Sequence, residues 1–292
     1  MAHVLTLVTD FPAYALGRGL VERVARAIGA GAVEWLSEHE AADLPCAEPP
    51  DMVRVAAALE GAPIDAIAQP AAGRRKRLLV SDMDSTIVTS ETLDELAAYA
   101  GLKDEVATIT RRSMNGEIDF SQALRERVGM LAGLDTAALD ATWATTAFMP
   151  GAAELVATMR VHGARTVLVS GGFTWFTGRV AAALGFDAHF ANILGFDAAH
   201  RLTGQVGTPI LDRDAKLEIL RREAATLGVG VDAAMAVGDG ANDLAMIRAA
   251  GLGIAFRAKP VVAAAARAQV RHCGLRALLF AQGYAAGEIV PP

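Results

Sequence analysis

Two aspartates, Asp82 and Asp84, follow a short apolar run at residues 78–80. In an extended backbone, residues i and i+2 point to the same face, so the two carboxylates lie side by side. Such a pair repels unless a cation lies between its members or one of them holds a proton. The segment is therefore typical of a buried strand that ends by presenting an anionic pair to a metal ion.

Polar segments also follow two other apolar runs. Residues 166–169 lead into S-G-G at 170–172, and residues 235–237 lead into G-D-G-A-N-D at 238–243. Ligands of open α/β sheets bind at the carboxyl ends of parallel strands. We therefore expect the three polar segments to meet at one edge of a sheet and to form one site.

Asp239 is the best candidate to join Asp82 around a cation, because the glycines on either side of it allow a tight turn at the sheet edge. Oxygen ligands without a nearby His or Cys favour Mg²⁺ over zinc. Asp243 lies four residues further along the chain. It is better placed as a partner of a ligand or as a helix N-cap than as a direct ligand.

The S-G-G segment has the composition of a phosphate site. Ser170 supplies a hydroxyl, and Gly171 and its neighbour supply unhindered backbone N–H groups ahead of a helix. Lys216 lies at a predicted helix start. With a phosphate site assembled, its ammonium would neutralise anionic oxygens.

Apolar β-like runs alternate with helical segments beyond residue 72. This alternation predicts an α/β fold with an open, doubly wound parallel sheet that is covered on both faces. The predicted strands are 78–80, 166–169, 235–237 and 253–256, and the predicted helices are 152–161, 174–184, 215–227 and 243–249. Residues 186–210 are expected to be irregular or to form a hairpin.

The pattern predicts three units. Residues 1–72 form a small α+β unit, 73–89 with 148–292 form the core, and 90–147 form an inserted helical cap. In the first unit, strands are predicted at 3–9 and 32–37 and helices at 16–28 and 52–59. Pro and Gly near residues 49–50 and 69–73 are interpreted as joints.

Composition narrows the class of protein. The 292-residue chain has a formal net charge of −6, which argues against a nucleic-acid partner. Its two cysteines, Cys46 and Cys273, match no metal or redox spacing, which fits a reducing cytosol. The N-terminus does not have the pattern of a signal peptide, and no apolar run is long enough to span a bilayer. We expect a cytoplasmic protein that acts on a small molecule.

The combined motifs resemble those of the haloacid dehalogenase superfamily: D-x-D-x-T at 82–86, a strand-terminal Ser170, Lys216, and G-D-G-x-N-D at 238–243. Over roughly residues 76 to 280, the chain is similar to the phosphoserine phosphatase family within it. The segments that carry this closer likeness are D-M-D-S-T-I-V at 82–88, E-T-L-D-E at 91–95, M-N-G at 114–116 and F-S-Q-A-L-R-E-R-V at 120–128. The N-terminal unit resembles a short ACT-like regulatory module.

The resemblance implies Mg²⁺-dependent hydrolysis of O-phosphoserine to serine and phosphate, the last step of serine biosynthesis. It implies that Asp82 attacks phosphorus to form an aspartyl-phosphate and that Asp84 acts as general acid and then general base. Ser170 and Lys216 would stabilise the charge of the phosphoryl group. The implied metal ligands are Asp82, the backbone carbonyl of Asp84, and Asp239.

The resemblance also assigns substrate selection to the cap. Glu91 would bind the ammonium of phosphoserine, and Arg127 would bind its carboxylate as a bidentate fork. Met114 and Phe120 would form an apolar wall that excludes water. From the core, Asn242 would contact the substrate.

Three other functions are compatible with parts of the pattern. One is a phosphotransferase that passes phosphate from phosphoserine to homoserine. Another is a phosphatase for a different small ester, although the pair of Glu91 and Arg127 argues against it. The third is a non-catalytic amino-acid sensor, against which the complete set of catalytic residues argues. Residues 1–72 could equally be a packing or dimerisation appendage, so the sequence leaves a homodimer, and regulation by serine, open.

Overall fold

The computed structural model describes residues 2–114 and 117–292, without the side chain of Met114. Three sheets organise these residues: a four-stranded antiparallel sheet, a six-stranded parallel sheet and a two-stranded hairpin. Over the same residues, every helix is too short or too polar to cross a membrane.

The N-terminal unit is built around the antiparallel sheet, whose strand order is β2-β3-β1-β4. Its βαββαβ sequence of elements is that of ferredoxin-like motifs. The elements are β1 (His3–Thr9), α1 (Arg18–Ile28), β2 (Glu34–Ser37), β3 (Ala41–Cys46), α2 (Met52–Leu59) and β4 (Ile64–Pro70). The predicted small α+β unit is confirmed, but β3 and β4 are absent from the prediction. Pro70, predicted to lie in a joint, is instead the last residue of edge strand β4. Proline is tolerated at such a position because its missing N–H removes no hydrogen bond between strands.

The two faces of this sheet have different partners, as the two-residue period of strands allows. Leu5 and Leu7 lie in an apolar cluster with α1 and α2. Val8 and Ile67 lie in the apolar cluster that continues into the rest of the molecule. The N-terminal sheet is therefore covered on one face by its own helices and on the other by the core.

Charged groups join the same unit to the core. Asp65 accepts hydrogen bonds from the backbone N–H groups of Arg271 (2.8 Å) and Cys273 (2.9 Å). Arg276 donates through Nε to Glu40 at 2.7 Å. These contacts link the edge of the N-terminal sheet to the segment that follows the last core strand.

The cap follows β5 (Leu78–Ser81) and is helical, as predicted. Its helices are α3 (Thr92–Tyr99), α4 (Lys103–Met114), α5 (Phe120–Met130) and α6 (Thr136–Thr145). Asp119 caps the start of α5, and Asp135 caps the start of α6. Their side chains accept hydrogen bonds from backbone N–H groups of the first turn, which have no acceptor within the helix. Leu96, Val106 and Leu124 bury the inner sides of three of these helices in one apolar cluster.

The core is the predicted parallel sheet with helices on both faces. Its strand order is β12-β11-β10-β5-β6-β7. The remaining elements are α7 (Ala152–Val161), β6 (Arg165–Phe173), α8 (Thr174–Leu184), β7 (Ala188–Asn192), β8 (Leu194–Phe196), β9 (Leu202–Val206), α9 (Arg213–Thr226), β10 (Ala234–Gly238), α10 (Leu244–Ala249), β11 (Leu252–Phe256), α11 (Pro260–Ala265), β12 (Ala268–Val270) and α12 (Ala277–Ala281). The doubly wound α/β fold class is confirmed.

Residues 186–210 combine an edge strand with a hairpin. β7 joins the parallel sheet, while β8 and β9 pair with each other. The hairpin contacts the cap, because Leu202 donates its N–H to the carbonyl of Leu134 at 2.7 Å and accepts from Gly133 at 2.8 Å. Strands β7 and β12 are missing from the prediction because one is only partly buried and the other has three residues.

Strand β5 lies at the point where the strand order reverses. It pairs with β6 on one side and with β10 on the other, so that Ser81 faces both Leu168 and Val237. Crevices at such a reversal, outside the carboxyl ends of the strands, are where open α/β sheets bind ligands. The three polar segments leave the sheet at this crevice.

Candidate active site

Asp82 extends strand β5 by one residue into the crevice. Its N–H donates to the carbonyl of Val237 at 2.9 Å, which continues the contact between β5 and β10. Its own Oδ1 accepts the N–H of Met83 at 2.7 Å. The buried carboxylate is therefore held in place by backbone groups on both sides.

Lys216 reaches Asp82 from the buried side of the site. Asp212 begins α9 by accepting the N–H groups of its first turn, which places Lys216 one turn into the helix. The ammonium Nζ lies 2.8 Å from Asp82 Oδ1 and 2.6 Å from Asp243 Oδ1. Burial alone would lower the pKa of Lys216, but the carboxylates of Asp243 and Asp82 outweigh burial and raise it. The ammonium is therefore charged at neutral pH.

Asp243 uses both of its oxygens within the protein. Oδ1 binds Lys216, and Oδ2 accepts the N–H of Gly240 at 3.0 Å. The carboxylate packs so closely on Gly238 that a Cβ there would lie 2.4 Å from Asp243 Cγ, which explains the need for glycine. This arrangement favours the prediction that Asp243 supports the site rather than acting as a direct ligand.

Asp84 lies opposite the S-G-G segment. Its Oδ1 accepts the N–H of Thr92 at 2.8 Å, and its Oδ2 accepts the hydroxyl of Ser170 at 3.1 Å. Burial and the negative charge of Glu91 raise the pKa of Asp84 to about 7, although the bond from Thr92 acts in the other direction. A carboxyl group with a pKa near 7 can both donate and accept a proton at neutral pH.

The S-G-G segment leaves the regular ladder. β6 pairs with β7 up to Val169 and again at Phe173, with an irregularity between the two. Within it, Gly172 donates its N–H to Ser170 Oγ at 2.8 Å, and Asn192 holds the carbonyl of Gly171 at 2.8 Å. The irregularity turns the hydroxyl of Ser170 toward Asp84.

Three buried carboxylates form a cluster that suits a cation. One oxygen each from Asp82, Asp239 and Asp243 lies within 4.8 Å of the other two. Burial and the charge of Asp82 raise the pKa of Asp239 to about 7, and Lys259 at 3.6 Å offsets this only in part. A hard divalent cation fits a crowded set of oxygen donors of this kind. Among the described residues, both oxygens of Asp243 are engaged, but only one oxygen of Asp82 is, so Asp82 and Asp239 are the better candidates to hold a cation.

A cavity of about 520 Å³ lies between the cap and the core. It brings together the predicted residues from both units. Those that line it are Asp82, Asp84, Glu91, Phe120, Arg127, Ser170, Gly171, Asp239 and Asn242. Lys216 is buried beneath it, and the side chain of Met114 lies outside the described residues.

Two of the charged residues that the cap supplies to this cavity are Glu91 and Arg127. Glu91 accepts the hydroxyl of Ser85 at 2.8 Å, and burial raises its pKa. Arg127 donates through Nε to the carbonyl of Ala123 at 3.2 Å and through Nη1 to Thr110 Oγ1 at 3.0 Å.

The aromatic ring of Phe120 closes the cavity over Gly171. A Cβ at Gly171 would lie 3.0 Å from the ring. The absence of a side chain at that position is therefore what lets the cap approach the core so closely.

Several site residues were missed by sequence reasoning. Thr110 and Thr92 contact predicted site residues through short polar contacts, and Lys259 forms an ion pair with Asp239. The position of Thr92, directly after Glu91, could have indicated it. Thr110 and Lys259 have no local signal, because only the folded chain brings them near their partners.

A larger and more open cleft of about 980 Å³ lies between the N-terminal unit and the core. Tyr14 and Pro63 line it from one side, and Arg257 and Arg271 from the other. The described residues that were predicted to be catalytic line the smaller cavity or lie beneath it, so the larger cleft is not the candidate active site.

A comparison with protein families matches residues 76–251 to the haloacid dehalogenase-like hydrolases. This chain belongs to the haloacid dehalogenase-like hydrolases. The match covers β5, the whole cap and the core through β10, which are the parts that build the cavity.

Among these hydrolases, the chain is similar to phosphoserine phosphatases. It is 44% identical to the phosphoserine phosphatase of Streptomyces coelicolor over 241 residues, which are 81% of this chain and 58% of that protein. It is 42% identical to a probable phosphoserine phosphatase of Schizosaccharomyces pombe over 227 residues, which are 77% of this chain and 76% of that protein. The chain thus spans less than two thirds of the Streptomyces protein and about three quarters of the yeast protein.

One solved structure is similar to a large part of this chain. The chain is 38% identical to a substrate-bound phosphoserine phosphatase, with a TM-score of 0.67 over 70% of this chain and 97% of the other. Sequence and structure therefore both support the haloacid dehalogenase-like fold of this chain and its membership in that hydrolase family.

Proposed function

We propose that this chain is a magnesium-dependent phosphoserine phosphatase, which hydrolyses O-phosphoserine to serine and inorganic phosphate. The observation that carries the proposal is one cavity with an aspartate pair on its core side and with Glu91 and Arg127 on its cap side. Phosphoserine has a phosphate, an ammonium and a carboxylate. Glu91 and Arg127 carry charges opposite to the ammonium and the carboxylate, and Lys216 beneath the cavity carries a charge opposite to the phosphate. The names of the Streptomyces and yeast relatives support the same activity.

In the first step, an oxygen of Asp82 attacks phosphorus while the bond from phosphorus to the serine oxygen breaks. Asp84 gives its proton to that departing oxygen. Lys216 and the N–H of Met83 both contact Oδ1 of Asp82 and hold its carboxylate in place for the attack. The products of this step are serine and an aspartyl-phosphate.

In the second step, Asp84 takes a proton from a water molecule as the water oxygen attacks phosphorus. The bond between phosphorus and Asp82 breaks, so inorganic phosphate leaves and Asp82 is restored. The pKa of Asp84, raised to about 7 by burial and by Glu91, suits both proton transfers.

Charge neutralisation supplies most of the rate enhancement in this proposal. Proton transfer contributes about 10²- to 10⁴-fold, whereas hydrolysis of a phosphate monoester needs acceleration that approaches about 10²¹-fold. Lys216, the hydroxyl of Ser170 and the backbone N–H of Gly171 would stabilise the phosphoryl oxygens. Asn242 lies on the same wall and would contact the substrate.

Asp82, the backbone carbonyl of Asp84 and Asp239 would hold the Mg²⁺ ion, because their oxygens are the donors that this ion prefers. When bound, the ion supplies the positive charge that lets an anionic carboxylate approach a phosphate dianion. Asp243 would support the site by fixing Lys216 and the loop at Gly240.

In the cap, Glu91 would bind the ammonium group and Arg127 the carboxylate, while Phe120 would exclude water. Met114, predicted to complete the apolar wall, stays a prediction. We also propose the unit boundaries that the sequence predicts, with the cap at 90–147 between the two parts of the core. The cytoplasmic location and a homodimer likewise stay predictions.

Trapping of the covalent intermediate tests the proposal. Protein mixed with Mg²⁺ and phosphate-labelled phosphoserine, then quenched in acid, should carry the label on Asp82. Asp82→Asn should carry none, and Asp140→Asn, which alters an exposed cap residue, should carry as much as the unchanged protein. Label on another residue, or none at all in the unchanged protein, would overturn the mechanism.

The acceptor of the phosphoryl group needs a separate measurement. Homoserine in excess should take up less labelled phosphate than is released to water. A larger transfer to homoserine would instead make the chain a phosphotransferase.

A further inference from the structure

We propose that Thr110 and Asp94 position Arg127, and that this small polar chain sets the preference for substrates that carry a carboxylate. The inference rests on the proposed function, since it requires that the carboxylate of phosphoserine reaches Arg127. It concerns two residues that do not themselves contact the phosphoryl group.

Arg127 is a buried cation whose hydrogen bonds end on neutral oxygens. Its side chain and backbone together are 8% exposed. Nε donates to the carbonyl of Ala123 and Nη1 to the hydroxyl of Thr110, and no acid among residues 2–114 and 117–292 forms an ion pair with it. A guanidinium has five N–H donors, so three of them remain for a ligand. Asp94, Glu91 and Asp84 act on this charge without touching it, so the remaining N–H donors are left for an anion from outside.

Thr110 accepts from Arg127, since a guanidinium can only donate. The single proton of the Thr110 hydroxyl is then given to one of two acceptors. The carbonyl of Val106 lies 3.0 Å from Oγ1, and Asp94 Oδ1 lies 3.1 Å from it. Whichever acceptor takes the proton, a lone pair of the Thr110 oxygen faces Nη1 of Arg127. This hydrogen bond holds the guanidinium in one orientation.

The polar chain connects three helices of the cap. Asp94 lies on α3, Thr110 on α4 and Arg127 on α5. Glu91 immediately precedes α3, so the proposed ammonium partner and the proposed carboxylate partner are tied together through Thr110. This connection fixes the distance between the carboxylate of Glu91 and the guanidinium of Arg127.

The hydroxyl between Asp94 and Arg127 also serves selectivity. A carboxylate in direct contact with the guanidinium would occupy its bidentate edge and repel the carboxylate of a substrate. With Thr110 in between, Asp94 orients the arginine and compensates part of its charge from a distance. The bidentate edge is left for the ligand.

Kinetics with two matched esters test this arrangement. O-phosphoserine and O-phosphoethanolamine share the phosphate and the ammonium, and only the first has a carboxylate. Thr110→Val removes the hydroxyl and keeps the shape of the side chain. We expect it to lower kcat/KM for phosphoserine by about tenfold, mainly by raising KM, because one hydrogen bond to a charged group is lost. For phosphoethanolamine we expect a change of less than about twofold.

Two further variants separate positioning from folding. Thr110→Ser keeps the hydroxyl, and its preference for phosphoserine should stay within about threefold of the original. Thr108→Val changes an exposed threonine of the same helix that donates to the carbonyl of Asp104 at 2.8 Å, as Thr110 does to Val106. It should alter neither substrate. Asp94→Ala should act on phosphoserine alone and by about threefold, because Val106 still takes the proton of Thr110.

The outcomes distinguish this inference from the proposed function. An equal loss on both esters in Thr110→Val, or no loss on either, overturns the positioning role. If the unchanged protein hydrolyses phosphoethanolamine as well as it does phosphoserine, then the proposed substrate itself is wrong.

Discussion

The core and the cap build the two walls of the cavity in different ways. In the core, Lys216 is in direct contact with Asp82 and Asp243 and compensates part of their charge. In the cap, Arg127 donates hydrogen bonds to a hydroxyl and a carbonyl, and no acid in the described part of the chain forms an ion pair with it. In the proposed mechanism, a bound Mg²⁺ ion would complete the core wall, whereas the substrate itself would complete the cap wall.

The supports of the two walls differ as well. Asp82 follows a central strand, and its N–H bonds directly to the neighbouring strand β10. Arg127 lies on a helix and is oriented by a side chain from another helix. Changes in the core should therefore affect all phosphate esters, and changes in the cap should affect only those that carry the matching group.

Loss of the nucleophile should have the largest effect. Asp82→Asn should lower kcat by about 10⁴-fold or more, because the attacking carboxylate is replaced by an amide that is a poor nucleophile. The loss should be the same for phosphoserine and for phosphoethanolamine, measured as phosphate release. If kcat fell for phosphoserine alone, the core would take part in substrate selection, and the contrast between a general core and a selective cap would be wrong.

Removal of divalent cations should come second. Chelation should lower kcat by about 10³-fold for both esters, since a bound metal supplies several kcal/mol of charge stabilisation. Activity should return on addition of Mg²⁺ and should be compared with that restored by an equal concentration of Ca²⁺. Full activity in the presence of chelator would contradict the role given to Asp82 and Asp239.

Truncation of the cap arginine should have a selective effect. Arg127→Ala should lower kcat/KM for phosphoserine by about 10²-fold, because a bidentate, charge-assisted contact is lost. Phosphoethanolamine should change by less than about threefold.

A second arginine variant sharpens that result. Arg127→Lys keeps the charge and loses the fork, so it should fall between Ala and the unchanged protein. Thermal unfolding of each variant checks that the cap is intact. Equal losses on the two esters would remove the distinction between a general core and a selective cap.

The smallest effect on activity is expected where the N-terminal unit joins the core. Asp65→Ala removes the acceptor of the backbone N–H groups of Arg271 and Cys273, and should lower the free energy of unfolding by about 2 kcal/mol. The kcat/KM values of both esters should stay unchanged. Glu22→Ala, at an exposed position of α1, is the matched control and should leave the urea midpoint in place. A large loss of activity in folded Asp65→Ala protein would show that this unit takes part in catalysis.

Much of the fold could be predicted because its signals are local. The bounds of α2, α7 and α8 agree with the prediction residue by residue, since apolar residues recur at a helical period in each of them. Strands β5 and β10 were found because buried parallel strands are continuous apolar runs. β7 and β12 escaped because short or half-exposed edge strands have no such run.

The candidate site divides in the same way. Asp82, Asp84 and Asp239 could be placed together because their motifs follow strands, and parallel strands end at a common edge. Glu91 and Arg127 could be named only through the resemblance to a family, since a helical acid and a helical arginine are commonplace. The contact between Thr110 and Asp94 was not predicted, although Asp94 lies in the E-T-L-D-E segment, because nothing in the spacing of α3, α4 and α5 says which side chains meet.

The sequence by itself determined which strands end in acidic and glycine-rich segments, and therefore where phosphoryl chemistry belongs. Periodicity and turn residues act over a few neighbours, and they are visible in any stretch of the chain. The tertiary structure alone decided that Asp243 holds Lys216, that Arg127 is buried with its hydrogen bonds on Ala123 and Thr110, and that Thr110 lies between it and Asp94. These contacts join separate helices and loops, and their geometry depends on how whole elements pack. No pattern of neighbouring residues in the sequence indicates that packing.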